Sequence, residues 1–312
     1  MNPSDRAAKT DGFPVVDPHQ HFWDLGRNYH PWLCDAVPVA FRYGDYSAIR
    51  RNYLPADYRR DSARYRIVKT VHIEAEWDRA DALGETRWIE KIHREYGLPS
   101  ACVGHAQLDR PDIEQILAEH ARCRLVRGIR HKPKAASHPR EARRGEPGSM
   151  DDPRWRAGFA LLERCGFSYD LQTPWWHLDA AAELAADFPA TQIVINHTGL
   201  PADRSPEALE GWRRALETVA AQLNVAIKIS GLGRPGLPWT IEANGPIIRD
   251  AIAIFGAERC MFASNYPVDR LAGSFETIYD GFLAAVAEYS PEDQRKLFHD
   301  NATRIYRLDR GG

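Results

Sequence analysis

The stretch Val15-Val16-Asp17-Pro18-His19-Gln20-His21-Phe22-Trp23 runs from a short apolar strand into a His-x-His pair. Side chains alternate between the two faces of a strand, so His19 and His21 point the same way, and Asp17 is expected to join them. Two imidazoles one strand-step apart can grip one metal ion or one substrate oxygen.

Outward from this pair, apolar runs alternate with helix-like segments. After strand one (Val15–His19), strands are expected at Ile67–Glu76, Ala101–Leu108, Leu125–His131, Phe167–Gln172, Gln192–His197, Val225–Ser230 and Cys260–Asn265. Amphipathic helices fill the intervals, several with a proline in the first turn, as at Pro153, Pro206 and Pro291. Eight strands alternating with helices is the pattern of a (β/α)₈ TIM barrel. The rival, an open doubly wound sheet binding a nucleotide, lacks its Gly-x-Gly-x-x-Gly or Gly-x-x-x-x-Gly-Lys after strand one. A long insertion, Asp24 to Tyr58, follows strand one and is rich in Tyr, Trp, Pro and Arg. A loop of this length is usually functional or disordered; its aromatics favour a packed substrate cover, with a homo-oligomer contact equally open. The organisation expected is a loose polar tail over 1–12 and one barrel domain over 13–312.

Several function classes fall away on composition. A net charge of −2 over 312 residues gives no reason to expect nucleic acid or an anionic membrane as partner. No apolar run approaches the ~20 residues of a membrane helix, and residues 1–12 carry no apolar signal core, so a cytoplasmic location is expected. Cys34, Cys102, Cys123, Cys165 and Cys260 are odd in number and widely spaced, which argues against a disulfide framework and a thiolate zinc site.

A barrel carries its chemistry at the C-terminal strand ends. Assigning the lumen face by parity brings there Asp17, His19 and His21; His72, Glu74 and Glu76; Arg130, with His131 one step off; Gln172; His197; Lys228 and Ser230; and Asn265. Strand three is ambiguous between His105 and Gln107. A neutral polar group buried without a partner costs roughly 2–7 kcal/mol, so this many at strand ends point to a polar basin at the barrel mouth. His72 and His105, each alone on its strand, are read as satisfied structural histidines. The His19/His21 pair and His197 are read as functional.

These residues fall in a familiar order. His19-Gln20-His21-Phe22-Trp23, Val71-His72-Ile73-Glu74-Ala75-Glu76-Trp77, Arg127-Gly128-Ile129-Arg130-His131, Ile195-Asn196-His197-Thr198-Gly199-Leu200-Pro201, Lys228-Ile229-Ser230-Gly231-Leu232 and Met261-Phe262-Ala263-Ser264-Asn265-Tyr266-Pro267 resemble the amidohydrolase-related family of TIM-barrel hydrolases. That family includes the sugar lactonases acting on fuconolactone and rhamnonolactone and the pyrone-dicarboxylate lactonase. The resemblance implies hydrolysis, most often of a lactone. It also implies that His19, His21 and His197 hold one divalent cation such as zinc or, in metal-free members, the carbonyl itself.

Position 265 departs from the pattern: it is Asn where the hydrolases carry the water-activating Asp. An amide is no base at neutral pH and a poor metal ligand. The expectation is therefore a hydrolase opening a small, polar, anionic lactone or related ester or amide. His19, His21 and His197 polarise the carbonyl, Glu76 is the general base, Asn265 holds the water, and Arg130 with Lys228 takes a carboxylate or the oxyanion. Trp23, Glu74, Trp77, His131, Gln172, Trp175, Trp176 and Tyr266 are expected around the substrate. The alternatives left open by Asn265 are a lyase, decarboxylase or lactone isomerase on the same scaffold, or a non-catalytic small-molecule binding barrel.

Overall fold

Eight short strands line up side by side in sequence order, β1 to β8, every neighbouring pair parallel. The computed structural model describes residues 13–309. The tail expected over 1–12 lies outside the described residues. The strands are β1 Val15–Gln20, β2 Ile67–Ile73, β3 Ala101–His105, β4 Val126–Arg130, β5 Ser168–Leu171, β6 Ile193–Ile195, β7 Val225–Ile229 and β8 Cys260–Phe262. Past β8 the chain closes the ring against β1. Asn265 N donates to His19 O at 2.8 Å, and His21 N donates to Tyr266 O at 2.8 Å.

The architecture is that of a (β/α)₈ barrel, and its hydrophobic pattern explains it. Parallel strands are covered on both faces, so they read as apolar runs rather than alternations. Val16, Val71, Ile73, Val103, Val194 and Met261 form a cluster of their own inside the ring, separate from the larger core under the helices. The C-terminal segment joins that inner cluster through Ile305, Tyr306 and Leu308, closing the end of the barrel opposite the strand C-termini. Helices begin where the sequence supplies a cap and a proline. Ser205 Oγ accepts from Ala208 N ahead of Pro206–Ala220, and Asp152 accepts from Arg154 N ahead of Pro153–Cys165. Gly97 and Gly166 end Gly84–Tyr96 and Pro153–Cys165 in the left-handed conformation that glycine adopts without penalty.

The strands stop earlier than the sequence suggests. β2 ends at Ile73 rather than Glu76, β3 at His105 rather than Leu108, β6 at Ile195 rather than His197, and β8 at Phe262 rather than Asn265. The polar residues beyond these points have left the sheet to build the mouth. Two parity assignments fail within the strands themselves. On β2, Val71 and Ile73 face the lumen, while His72 faces outward to Glu85 on helix Gly84–Tyr96. On β1, a register shift between Asp17 and Gln20 turns Asp17 away from the histidines, onto Tyr58 and Ser264.

The insertion is an ordered cover. Trp23 and Tyr53 pair backbone to backbone, and Trp32, Phe41 and Tyr46 stack on one another with centroids 5.0–5.6 Å apart. Among the described residues no helix is long and apolar enough to cross a membrane.

Candidate active site

The strand C-termini open into a cavity of about 490 Å³, with His21, His197, Asn265 and Arg130 at its polar end. His19 lies fully buried beside them, its ring centroid 5.0 Å from that of His21 and 4.6 Å from that of His197. The backbone at this floor is unusual. Glu76, His197 and Asn265 all hold positive φ, 59°, 54° and 52°, a region that non-glycine residues enter only at a cost and that recurs at functional sites.

Hydrogen bonds assign the protons. His21 Nδ1 lies 2.7 Å from Ile73 O, an acceptor only, so Nδ1 carries the hydrogen and Nε2 is left as a lone pair. That lone pair faces Asn265 Oδ1 at 3.3 Å. The amide cannot turn to offer its nitrogen, because Asn265 Nδ2 donates to Asp269 Oδ1 at 2.7 Å. Two acceptors therefore converge on one spot and call for a donor there. His197 Nδ1 is 3.1 Å from Ser230 Oγ. With the hydroxyl donating, its Nε2 bears the hydrogen. Neither ring nitrogen of His19 has a protein partner. Burial holds all three imidazoles well below the usual histidine range. Lys228 adds to this at His19, Arg130 at His21 and Arg42 at His197, so all three are neutral at pH 7.

The strand-two carboxylates are not free bases. Glu74 Oε1 accepts from Arg130 Nε at 2.6 Å with both side chains buried, and Arg130 Nη2 also donates to Glu74 O. Against the upward pull of burial, Arg130 and then His105 hold this carboxyl well below its ordinary value. Glu76, read from sequence as the general base, reaches the cavity but is gripped by both Lys132 and Arg79. Burial raises its pKa, yet Lys132 and Arg79 outweigh that and leave it lowered. A carboxylate so paired is a weaker base than a free one.

Of the other residues expected at the substrate, Trp77 and Gln172 line the cavity. Six do not. Lys228 is buried inside the barrel on Asp170 at 2.5 Å and lies 5.0 Å from the Tyr306 ring centroid; burial pushes its amine down to about 8. His131 turns outward, accepting from Leu108 N and Trp155 Nε1. Trp23 is buried and donates to Arg51 O. Trp175 packs on Gly211, Trp176 donates to Ala136 O, and the Tyr266 hydroxyl donates to Gly273 O. Each is an aromatic or cation with a structural partner near the mouth but outside its lining. His72 accepts from Phe22 N and contacts Glu85, and His105 contacts Arg130 O, so both are satisfied structural groups.

Four residues that sequence reasoning did not single out belong here. Trp32, Phe41 and Arg42 come from the insertion and line the cavity. Asp269, buried below Asn265, accepts from Asn265 Nδ2, from the Tyr43 hydroxyl at 2.7 Å and from Gly231 N at 2.9 Å. The aromatics of the insertion signalled a cover, but nothing separated Arg42 from its neighbouring arginines.

The histidines do not fit a resident divalent cation. Among the described residues no three His, Cys, Asp or Glu side chains are arranged to hold one. His19 has both nitrogens available, but His21 directs its lone pair at an amide oxygen and His197 engages Ser230. The chain beyond β8 offers an amide, a poor metal ligand, in place of a carboxylate.

A family model described as Amidohydrolase matches residues 16–308. An uncharacterized protein of Sinorhizobium fredii, y4mH, is 43% identical, covering 94% of this chain and 98% of its own. L-fucono-1,5-lactonase of Burkholderia ambifaria is 28% identical over 95% of this chain and 96% of the relative. A crystal structure of an amidohydrolase from Burkholderia multivorans, with bound zinc, superimposes with a TM-score of 0.77 at 25% identity, covering 94% of this chain and 99% of that one.

Proposed function

Because this chain belongs to the amidohydrolase family of hydrolytic enzymes, we propose that its cavity opens a small anionic lactone by addition of water. The observation carrying this reading is the approach of the neutral His21 Nε2 lone pair to Asn265 Oδ1 at 3.3 Å, with His19 and His197 beside it. Two fixed acceptors suit a water molecule that donates to both. His197 Nε2–H and a ring N–H of His19 are the donors for the lactone carbonyl, and they gain strength as charge builds on its oxygen. His21 takes one proton of the water while Asn265 Oδ1 holds the other, and the water oxygen bonds to the carbonyl carbon. The tetrahedral intermediate then collapses. The ring C–O bond breaks, the proton on His21 passes to the leaving alkoxide, and a hydroxycarboxylate results.

Two ionised pairs, Arg130 with Glu74 and Lys132 with Glu76, would shape the pocket wall rather than move protons. No step runs through a metal. The partner proposed is a small-molecule substrate. Turnover of a panel of sugar and dicarboxylate lactones, followed by proton release in ¹⁸O-labelled water, tests the reading. One solvent oxygen in the product carboxylate supports it. Rearrangement or carbon dioxide release without solvent oxygen would replace it with the isomerase or decarboxylase reading that Asn265 leaves open.

A further inference from the structure

The cavity is lined by four cations, Arg42, Arg79, Arg130 and Lys132, and three of them are already engaged. Arg130 is consumed by Glu74, with Gln172 Oε1 at 3.3 Å from Nη1. Arg79 and Lys132 share Glu76. Arg42 differs. Among the described residues its guanidinium makes no hydrogen bond. Its nearest carboxylate is Asp269 at 3.9 Å, beyond hydrogen-bonding distance, and that carboxylate is already occupied by Asn265, Tyr43 and Gly231. The guanidinium is held in place instead by stacking, its central carbon 4.6 Å from the Tyr43 ring centroid. A planar fork of N–H donors, pre-oriented and unspent at the wall of a pocket, suits a bidentate anion.

The surroundings of Arg42 say what accompanies that anion. Pro31, Trp32, Val39 and Phe41 of the insertion form an apolar wall, with Ala75 and Trp77 also lining the cavity. The side of a polyhydroxylated ring facing this wall would lose hydration without hydrogen bonds to replace it. A hydrocarbon or aromatic body would gain from burial.

We infer that Arg42 is the substrate's anion receptor, and that the substrate is a lactone carrying a free carboxylate on an apolar body. This deepens the lactone-hydrolase reading and rests on it for the word lactone. It moves the carboxylate-binding role away from Arg130 and Lys228, whose charges are spent on Glu74 and Asp170.

The test separates binding from turnover. Quenching of intrinsic tryptophan fluorescence, with Trp32 and Trp77 as reporters in the cavity, is measured with 3-phenylpropionate and with its neutral carboxamide. The wild type is expected to bind the acid at least about tenfold more tightly than the amide, the scale of one bidentate charge-assisted contact. Arg42→Met is expected to abolish that preference and leave the amide affinity unchanged, whereas Lys132→Met keeps it. Circular dichroism verifies that each variant is folded. An acid preference that survives in Arg42→Met, or a wild type that binds neither probe or both equally, overturns the inference. Turnover is scored separately on γ-butyrolactones bearing a phenyl group with either a carboxylate or a carboxamide. A chain that prefers the acid through Arg42 but opens no lactone retains the receptor and loses the hydrolase. One that opens both lactones equally, with or without Arg42, retains the hydrolase and loses the receptor.

Discussion

Asn265 and Asp269 stand four residues apart beyond the end of β8 and are joined by a 2.7 Å hydrogen bond from the amide nitrogen to the carboxylate. The bond orients the amide that stands where the resemblance calls for a carboxylate. Asp269 fixes which end of Asn265 faces His21. Asn265→Asp alone places a carboxylate oxygen where the amide nitrogen donated, and two buried carboxylates in contact cannot both be ionised. We expect this variant to lose about 1–3 kcal/mol of stability and most of its activity. The swap Asn265→Asp with Asp269→Asn restores one donor to the pair and should recover most of the stability. Urea denaturation of the two single variants and the double variant tests this. Additive losses would show that the two side chains act independently.

His21 is the proton acceptor in this scheme, with its tautomer set by Ile73 O. His21→Ala should lower kcat by about 10²–10⁴, the usual contribution of a positioned general base, with the far-ultraviolet circular dichroism unchanged. An equal loss in Glu76→Gln would return the base to strand two.

Several histidines are held neutral by burial, and acid should expose them. Burial pushes His72 down to about 3 and His105 and His131 to about 4, against about 6.5 unfolded. As pH falls below 6.5 the unfolded chain takes up these protons first. The stability is therefore complete above 6.5 and is lost from there down through pH 4 to 3. Each histidine contributes a slope of up to ~1.4 kcal/mol per pH unit. Glu85, raised by burial to about 8, works the other way, its contribution being full below its ordinary value and lost as pH rises toward 8. One such group does not offset three. The melting temperature should fall between pH 6.5 and 5, above the ordinary carboxylate range. In catalysis His21 stays a free base well below pH 6.5, so the acid limb of kcat/KM should lie below that value. A limb centred at 6.5 or above would remove His21 from the role.

Much of this was legible in the residues, and the remainder has definite causes. The apolar runs gave eight staves, because strands covered on both faces leave that pattern. His19, His21, His197, Arg130 and Asn265 stood out because ionisable and amide groups at strand ends need a reason. Parity failed on β2, where the strand ends at Ile73 and the backbone turns, so that Glu74 reaches Arg130 although His72 faces outward. The positive φ at Glu76 and Asn265 has no signature, since neither is glycine. Asp269 was hidden because it lies beyond the strand, in the short helical turn Val268–Leu271. Arg42 was hidden because only the distribution of partners among four cations distinguishes it.

Removal of divalent metal should leave turnover unaffected. His197 is engaged with Ser230, the lone pair of His21 faces an amide oxygen, and among the described residues no three His, Cys, Asp or Glu side chains are arranged to hold an ion. Dialysis against dipicolinate, with metal content read by mass spectrometry, is expected to give substoichiometric metal and unchanged kcat. Stoichiometric zinc whose removal abolishes activity would mean that the three imidazoles hold it together.

The Arg130–Glu74 pair makes a last prediction, on stability. Both side chains are at most 4% exposed, and Arg130 Nε lies 2.6 Å from Glu74 Oε1. Removing one partner of such a pair strands the other charge out of water, at a cost of about 3–5 kcal/mol. Glu74→Gln keeps the shape and removes only the charge, so it isolates this effect. It should lower the unfolding free energy read from urea denaturation by that amount, while Glu76→Gln, whose partners Lys132 and Arg79 are 40% and 46% exposed, should cost under about 1 kcal/mol. The contrast follows from solvation alone, because both glutamates contact two cationic or backbone groups of similar reach. Equal losses from the two substitutions would mean that Arg130 finds water or Gln172 when Glu74 is neutral, and that the buried end of the cavity is wetter than its packing implies.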